Sequence, residues 1–220
     1  MSSNPIRGIR RKKSSLTEVK IAVLGAPGVG KSALTVRFLT KRYIGEYDHQ
    51  AETRYKHEVM VDSEPILFEI LDTCPKNDEE LPLNDVYNWA DALVLVFAIT
   101  DRRSFNYVRR VKQTMLDTFE MPVALVANKA DMVHLRQVST EEGTYINSEI
   151  LAKDFECCFT EVAAAEQVGQ IAEVFLEVCR EVLSVRRKNK QSLLDRMLGG
   201  KTAVVKAYAR GKSDSALPKD

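Results

Sequence analysis

The sequence predicts an α/β fold over residues 18–185: a six-stranded, mostly parallel sheet flanked by helices. Three observations carry that expectation. Short β-branched runs alternate with longer helical patterns, as strands joined by crossover helices do. Two of the runs, ALVLVFAIT (92–100) and VALVANK (123–129), are almost wholly apolar, which suits strands covered on both faces. A glycine-rich segment, GAPGVGKS, stands between the first apolar run and the first helical pattern, at the carboxyl end of a strand, where such sheets bind ligands.

VKIAVLG (19–25) is the first strand, and GKSALTVRFLTKRY (30–43) follows as a helix with Leu34, Phe38 and Leu39 on one face. YKHEVMVD (55–62) and EPILFEILD (64–72) predict a hairpin turning at Asp62–Pro65. The two apolar runs come next, and ECCFTEV (156–162) supplies a last strand. Helices are expected near 104–118, 140–153 and 166–185. Thr140 offers only a plain N-cap, because Gly143 stands where a capping box would carry Glu or Gln. No internal repeat is present.

The chain has 220 residues, 45% hydrophobic and 29% charged, the balance of a soluble globular domain with short extensions. No apolar run nears the roughly 18 residues of a membrane span, and the basic N-terminus lacks the apolar core of a secretory signal. Cys74, Cys157, Cys158 and Cys179 form no CxxC pair and no zinc spacing with the histidines, so they read as reduced thiols of a cytosolic protein. The net charge of +1 conceals an asymmetry. Residues 1–18 carry five basic residues against one acid, residues 186–220 carry ten against three, and the body between them has 17 basic and 27 acidic, a net of −10. Residues 1–17 are therefore expected to be a disordered basic extension, and 186–220 a mostly disordered basic tail in which Leu193, Leu194, Met197 and Leu198 make a short amphipathic face. Contact of these arms with an anionic membrane surface or nucleic acid is neither supported nor excluded by the charge balance.

GAPGVGKS, Gly25 to Ser32, fits G-x-x-x-x-G-K-[ST] and sits between strand and helix as the chemistry requires. Backbone N–H groups of such a loop wrap a phosphate, helped by the helix N-terminus. Lys31 would bridge β- and γ-phosphates, the Ser32 hydroxyl would ligate Mg²⁺, and Gly28 and Gly30 allow close approach. The dinucleotide pattern G-x-G-x-x-G fails from Gly25, because its second glycine would fall on Pro27. The base is read from ANKADM, Ala127 to Met132. The Asp131 carboxylate can accept from both N1–H and the 2-amino group of guanine, and adenine offers neither. A site built to hydrogen-bond a group rejects analogues lacking it by roughly 10⁴. Asn128 would orient the loop, and the Lys129 stem would cover the base face.

With these two motifs about a hundred residues apart, the chain resembles a small GTPase of the Ras superfamily over residues 18–185, in an atypical Ras-like branch suggested by KSALTVRFLTKRYIGEYD and NKADMVHLRQVSTEEG. The resemblance implies a P-loop NTPase G domain that binds GTP or GDP with Mg²⁺. It implies nucleotide contacts from Gly25, Pro27, Gly28, Val29, Gly30, Lys31, Ser32 and Ala33, with Tyr43 stacking on guanine. Asp72, Asn128, Lys129 and Asp131 join them, and in EVAAAEQ (161–167) so do Ala163 and Ala164, the latter through its main-chain N–H. Mg²⁺ would be held by Ser32 and, through water, by Asp72.

The pattern then breaks. The effector-loop threonine of the family falls on Gln50, with Thr53 three residues on. The glycine whose N–H meets the γ-phosphate falls on Pro75, which has no N–H. The water-positioning glutamine falls on Lys76, which when charged only donates. The sequence therefore predicts retained nucleotide binding, weakened discrimination of GTP from GDP, and slow or absent intrinsic hydrolysis. The alternative is a pseudo-GTPase used as a protein-binding module locked in one state, and a P-loop kinase is a remoter one. Effectors or regulators are expected to meet residues 46–56 and 73–88 of a monomer. The chain ends without a C-a-a-X box, so no stable membrane anchor is expected, nucleic acid is not an expected partner, and the location expected is cytoplasmic with nuclear access.

Overall fold

The computed structural model describes residues 16–44, 51–116, 119, 121–151 and 158–207. Along the chain run β1 (Thr17–Leu24), α1 (Lys31–Thr40), β2 (Thr53–Val61), β3 (Glu64–Asp72), α2 (Asn84–Trp89), β4 (Ala92–Ala98), α3 (Arg102–Leu116), β5 (Val123–Asn128), a 3₁₀ turn at Val133–Leu135, α4 (Thr140–Leu151), β6 (Cys158–Glu161) and α5 (Val168–Ala207). The six strands form one sheet in the order β2-β3-β1-β4-β5-β6. Only the β2–β3 pairing is antiparallel.

The apolar runs behave as their composition demands. Every residue of β4 and β5 is buried, because helices cover both faces of the sheet centre. On one face Phe38 of α1 stacks on Phe175 of α5, with ring centroids 4.4 Å apart, and lies 5.6 Å from Phe68 of β3. β2 is an edge strand and alternates between exposed and half-buried residues along most of its length.

The parallel register aligns the ends that matter. Val23 pairs with Asp72, Leu24 with Leu95, and Ala98 with Asn128, so the phosphate loop, Asp72 and Asn128 all emerge at the carboxyl edge of the sheet.

Several elements differ from expectation. α1 stops at Thr40 because Lys41 turns left-handed (φ 59°) and its N–H closes the helix on the Arg37 carbonyl. The hairpin turns on Asp62 and Ser63 alone, both at positive φ, and Pro65 lies already within β3. α4 begins with a true capping box one residue before Thr140. The Ser139 hydroxyl accepts from the Glu142 N–H at 3.3 Å, and Glu142 accepts from the Ser139 N–H at 3.0 Å. The first two residues of the expected last strand lie outside the described residues.

The largest difference is α5, which continues to Ala207, through residues expected to be mostly disordered. RRKNKQSLLDRML is rich in strong helix formers, and each residue of the Gly-Gly pair that follows costs a helix only about 1 kcal/mol. Arg186, read as the first tail residue, is an anchor: it pairs with Asp91 at 2.6 Å and donates to the Glu18 carbonyl at 2.7 Å. Beyond it Leu193, Leu194 and Met197 are exposed. Residues 1–15 and 208–220 of the two basic arms lie outside the described residues, and Thr17 belongs to β1.

Cys74, Cys158 and Cys179 are in the reduced thiol form, and burial pushes the thiol of Cys179 up to about 12. Cys157 lies outside the described residues. Among the described residues no helix is long and apolar enough to cross a membrane.

Candidate nucleotide site

The phosphate loop is fixed by close approach. A Cβ on Gly25 would lie 2.3 Å from the Val96 carbonyl oxygen of β4, so glycine alone lets the chain pass. Gly30 has φ +95°, and a Cβ there would lie 2.4 Å from Asn128 Nδ2. Ala26, Val29 and Ala33 turn into the core, while Pro27 and Gly28 stand exposed at the rim.

Lys31 is 7% exposed, and its ammonium donates to the carbonyls of Gly25 (2.8 Å) and Ala26 (2.9 Å). Burial pushes its pKa down to about 8, and the nearby Asp72 and Cys74 act the other way. A buried cation inside a ring of backbone amides is a site prepared for a polyanion.

Pro27, Gly28, Gly30, Lys31 and Ser32 share one small cleft with Asp72, Thr73, Cys74, Pro75 and Ala51. The sequence placed Ser32 and Asp72 together as a magnesium site, and both line this cleft. A hydroxyl and a carboxylate beside space for phosphate and water make the hard-oxygen donor set that Mg²⁺ takes. These features fit a nucleotide bound with Mg²⁺.

Asn128 joins the two halves of the site. It is 2% exposed, its Nδ2 donates to the Val29 carbonyl (2.8 Å), and its Oδ1 accepts from the Ala164 N–H (3.1 Å). One side chain thus ties β5 to both the phosphate loop and the 163–165 turn. Lys129 follows in the left-handed region (φ 63°), and this turns the chain so that Asp131 stands exposed. Tyr43 is 47% exposed, just past the end of α1. The Ala164 N–H expected to face guanine already points to Asn128, so the two contacts converge on one donor.

The switch segments are placed differently. Gln50 lies outside the described residues. Thr53 is the first residue of β2, paired with Asp72. Pro75 lines the phosphate cleft. Lys76 does not line it: this residue is exposed, and its N–H donates to Glu80 Oε2 at 2.6 Å. Asn77 Oδ1 accepts from the N–H groups of Glu79 (2.9 Å) and Glu80 (3.0 Å). From α3 the Tyr107 hydroxyl donates to the Glu80 carbonyl at 3.0 Å, and Arg110 donates to that of Asp78. Burial raises the Tyr107 phenol far above its usual range.

Sequence reasoning missed three groups around the site. Thr73 donates its hydroxyl to the Val23 carbonyl at 2.7 Å and so fixes the chain directly after Asp72. Gln167 Oε1 accepts from the Ala163 N–H at 2.9 Å, and Arg37 Nη2 donates to the Ala165 carbonyl at 3.2 Å. Arg37 carries no local signal, since it acts on a backbone group 128 residues away, whereas Gln167 acts within its own turn, on a residue four positions earlier.

Comparison with known proteins agrees with this geometry. The Ras family model matches residues 20–184. The Ras-related and estrogen-regulated growth inhibitor of Homo sapiens is 46% identical over 189 residues, covering 84% of this chain and 86% of that protein. Ras-like protein family member 11B of Danio rerio is 38% identical over 177 residues (76% and 70% of the two chains), and Ras-like protein family member 12 of Danio rerio is 40% identical over 185 (80% and 68%). With a phosphate loop, an Asn128–Asp131 base motif and a six-stranded sheet that brings them to one edge, the chain belongs to the Ras family of small GTP-binding signalling proteins.

Proposed function

We propose that this protein binds guanine nucleotide and Mg²⁺ through its phosphate loop and base pocket, while its sensing of the γ-phosphate and its hydrolysis of GTP are weak. The observation that carries this is Pro75, a ring without an N–H, lining the same cleft as Gly28, Lys31, Ser32 and Asp72. A hydrogen bond to a charged partner is worth about 1.5–3 kcal/mol, so one missing at the γ-phosphate lowers the preference for GTP by roughly 10- to 100-fold. The exposed position of Lys76, and its inability to accept a proton from water while charged, support slow hydrolysis. What would remain at the phosphates is electrostatic: Lys31, the loop amides and the metal ligands. The protein would act in the cytoplasm, with nuclear access, as a monomer meeting effectors or regulators through residues 46–56 and 73–88.

A locked protein-binding module is the second reading, and the ties from Tyr107 and Arg110 to the 78–80 backbone favour it, because they hold that segment through contacts that involve no phosphate. Affinities for GDP and GTP, single-turnover hydrolysis, and hydrogen exchange over residues 73–83 test both readings. Comparable affinities with slow turnover are expected. Turnover at the ordinary rate of small GTPases would overturn the first reading, and strong GTP-dependent protection of 73–83 would overturn the second.

A further inference from the structure

The turn at residues 163–165 is Ala-Ala-Ala, with Ala163 and Ala164 buried and Ala165 exposed. It has no side-chain polar atom of its own, yet three of its backbone groups are held by side chains from outside and a fourth by a backbone N–H. The Ala163 N–H donates to Gln167 Oε1 at 2.9 Å, while the Gln167 N–H donates back to the Ala163 carbonyl at 2.9 Å. The Ala164 N–H donates to Asn128 Oδ1 at 3.1 Å, and the Ala165 carbonyl accepts from Arg37 Nη2 at 3.2 Å.

The reciprocal bonds between Ala163 and Gln167 close a small ring at the start of α5. A backbone N–H can be met only by the amide oxygen, so that contact also fixes which way the Gln167 amide faces. Arg37 reaches the other end of the turn from α1, 128 residues away in sequence. Ala164, in the middle, has its N–H directed to Asn128 Oδ1.

We infer that Gln167 and Arg37 are positioning residues for guanine recognition, bracing the alanine turn from its two ends so that the Ala164 N–H is held where the base carbonyl is met. This rests on the reading of Asn128, Asp131 and Ala164 as the guanine pocket. It adds that the pocket's selectivity is set in part by two side chains that do not touch the base. The phosphate loop has supports of its own, Lys31 on the carbonyls of Gly25 and Ala26 and the close approach of Gly25 to β4, and it shares with the turn the Asn128 side chain, through Val29. Loss of either brace should therefore affect recognition of the base and leave recognition of the phosphates intact.

The test uses the full chain with Gln167→Leu, Gln167→Glu and Arg37→Met. It measures release of fluorescent GDP, the affinity ratio of GDP to ADP, and competition by pyrophosphate, which engages the phosphate loop alone. Gln167→Leu removes the acceptor at nearly constant size and should speed GDP release roughly 3- to 10-fold, the worth of one net hydrogen bond. The GDP:ADP ratio should fall by the same factor and pyrophosphate affinity should not change. Gln167→Glu keeps an acceptor for the Ala163 N–H and should retain the ratio. Arg37→Met should act in the same direction as Gln167→Leu, and it carries the expectation alone should Gln167→Leu not fold.

Unchanged GDP release and an unchanged ratio in the Gln167→Leu, Arg37→Met double variant would overturn the inference, as would equal losses for GDP and pyrophosphate. Asp131→Asn separates the two levels. If that change leaves GDP affinity intact, the base pocket itself is misassigned. If it weakens GDP while the brace variants do not, only the role of Gln167 and Arg37 fails.

Discussion

Asn128 and Glu80 each secure a loop of the nucleotide cleft, but they do so over very different distances in the chain. Asn128 is 2% exposed and reaches partners 99 and 36 residues away, so the phosphate loop and the 163–165 turn are locked to β5 together. Glu80 is exposed and takes the N–H of Lys76, four residues back, within a turn that Asn77 also caps. Buried long-range bonds hold the base end of the site as part of the core, since leaving such a group unsatisfied costs about 1–3 kcal/mol. The 75–80 segment is held by bonds that water can replace at little cost, plus two contacts from α3. Under the proposed function, binding would draw on the part of the site held by the core and γ-phosphate sensing on the 75–80 segment, so substitutions in the second need not disturb the first.

The sharpest way to break the base end is Asp131→Asn. The change removes the carboxylate expected to accept two hydrogen bonds from guanine, each worth about 1.5–3 kcal/mol with a charged partner. GDP affinity should fall by roughly 10²- to 10⁴-fold with little change in melting temperature, because Asp131 is exposed and supports nothing in the core. Equilibrium titration with fluorescent GDP reads this directly.

At the other end, Pro75→Gly restores an N–H where the cleft lacks one, and pairing it with Lys76→Gln returns a group that can both donate and accept. The GTP:GDP affinity ratio should rise by roughly 10- to 100-fold and single-turnover hydrolysis should become faster, with GDP affinity unchanged. If the ratio stays flat, the contacts of Tyr107 and Arg110 with residues 78–80, and not Pro75, keep the segment from answering to the γ-phosphate.

The same contrast decides what could be read in the sequence. GAPGVGKS and NKAD were readable because a phosphate loop and a base loop are local patterns whose spacing follows from backbone geometry. The apolar strands were readable because residues covered on both faces leave no polar alternation. Arg37 was not, because a side chain that bonds a backbone group 128 residues away imposes no pattern on its neighbours, and Gln167 was missed although its bond to Ala163 spans only four residues. The capping box was missed by one residue: attention fell on Thr140, where Gly143 breaks the pattern, and not on Ser139, where Glu142 completes it. The tail beyond Arg186 looked disordered from its charge and its Gly-Gly pair, yet its other residues are helix formers that extend a helix already nucleated on the sheet.

The buried ammonium of Lys31 gives the phosphate half a signature in pH. Its folded pKa, about 8, lies below the ordinary 10.5, so it has partly lost its proton at pH 8 to 9 when no anion is near. Phosphate oxygens favour the charged form and raise that pKa on binding. Binding above about pH 8 must then take up a proton, and affinity should fall by up to about tenfold per pH unit until the bound-state pKa is reached. Below pH 8 this group contributes no slope. The fold itself responds in the opposite sense: because the unfolded chain holds the proton up to 10.5, Lys31 makes the free protein more stable as pH rises from about 8 to 10.5. Calorimetric titration of GDP near pH 9, in buffers of different ionisation enthalpy, should show net proton uptake, and its absence would show that Lys31 is not the phosphate contact.

The smallest expected effect lies outside the site and calibrates the others. Glu142 closes the α4 capping box and pairs with Arg102 through both carboxylate oxygens, one of these contacts at 3.0 Å. The Arg102 hydrogen bond first, and the Ser139 N–H second, hold its carboxyl down to about 2. A depressed carboxyl contributes stability above its ordinary value of 4.5 and loses it as pH falls toward 2. Both side chains are about 40% exposed, so solvent screening leaves only about 0.5–1 kcal/mol of that contribution. Glu142→Gln should lower the melting temperature at pH 7 by roughly 2–4 °C. That difference from the parent chain should shrink as the pH is lowered through 4.5 toward 2. GDP release should not change, because Glu142 braces α3 against α4, away from the base turn and the phosphate loop. A measurable change in release would mean that the helices behind the base pocket are coupled to it more tightly than the Asn128 contacts alone provide.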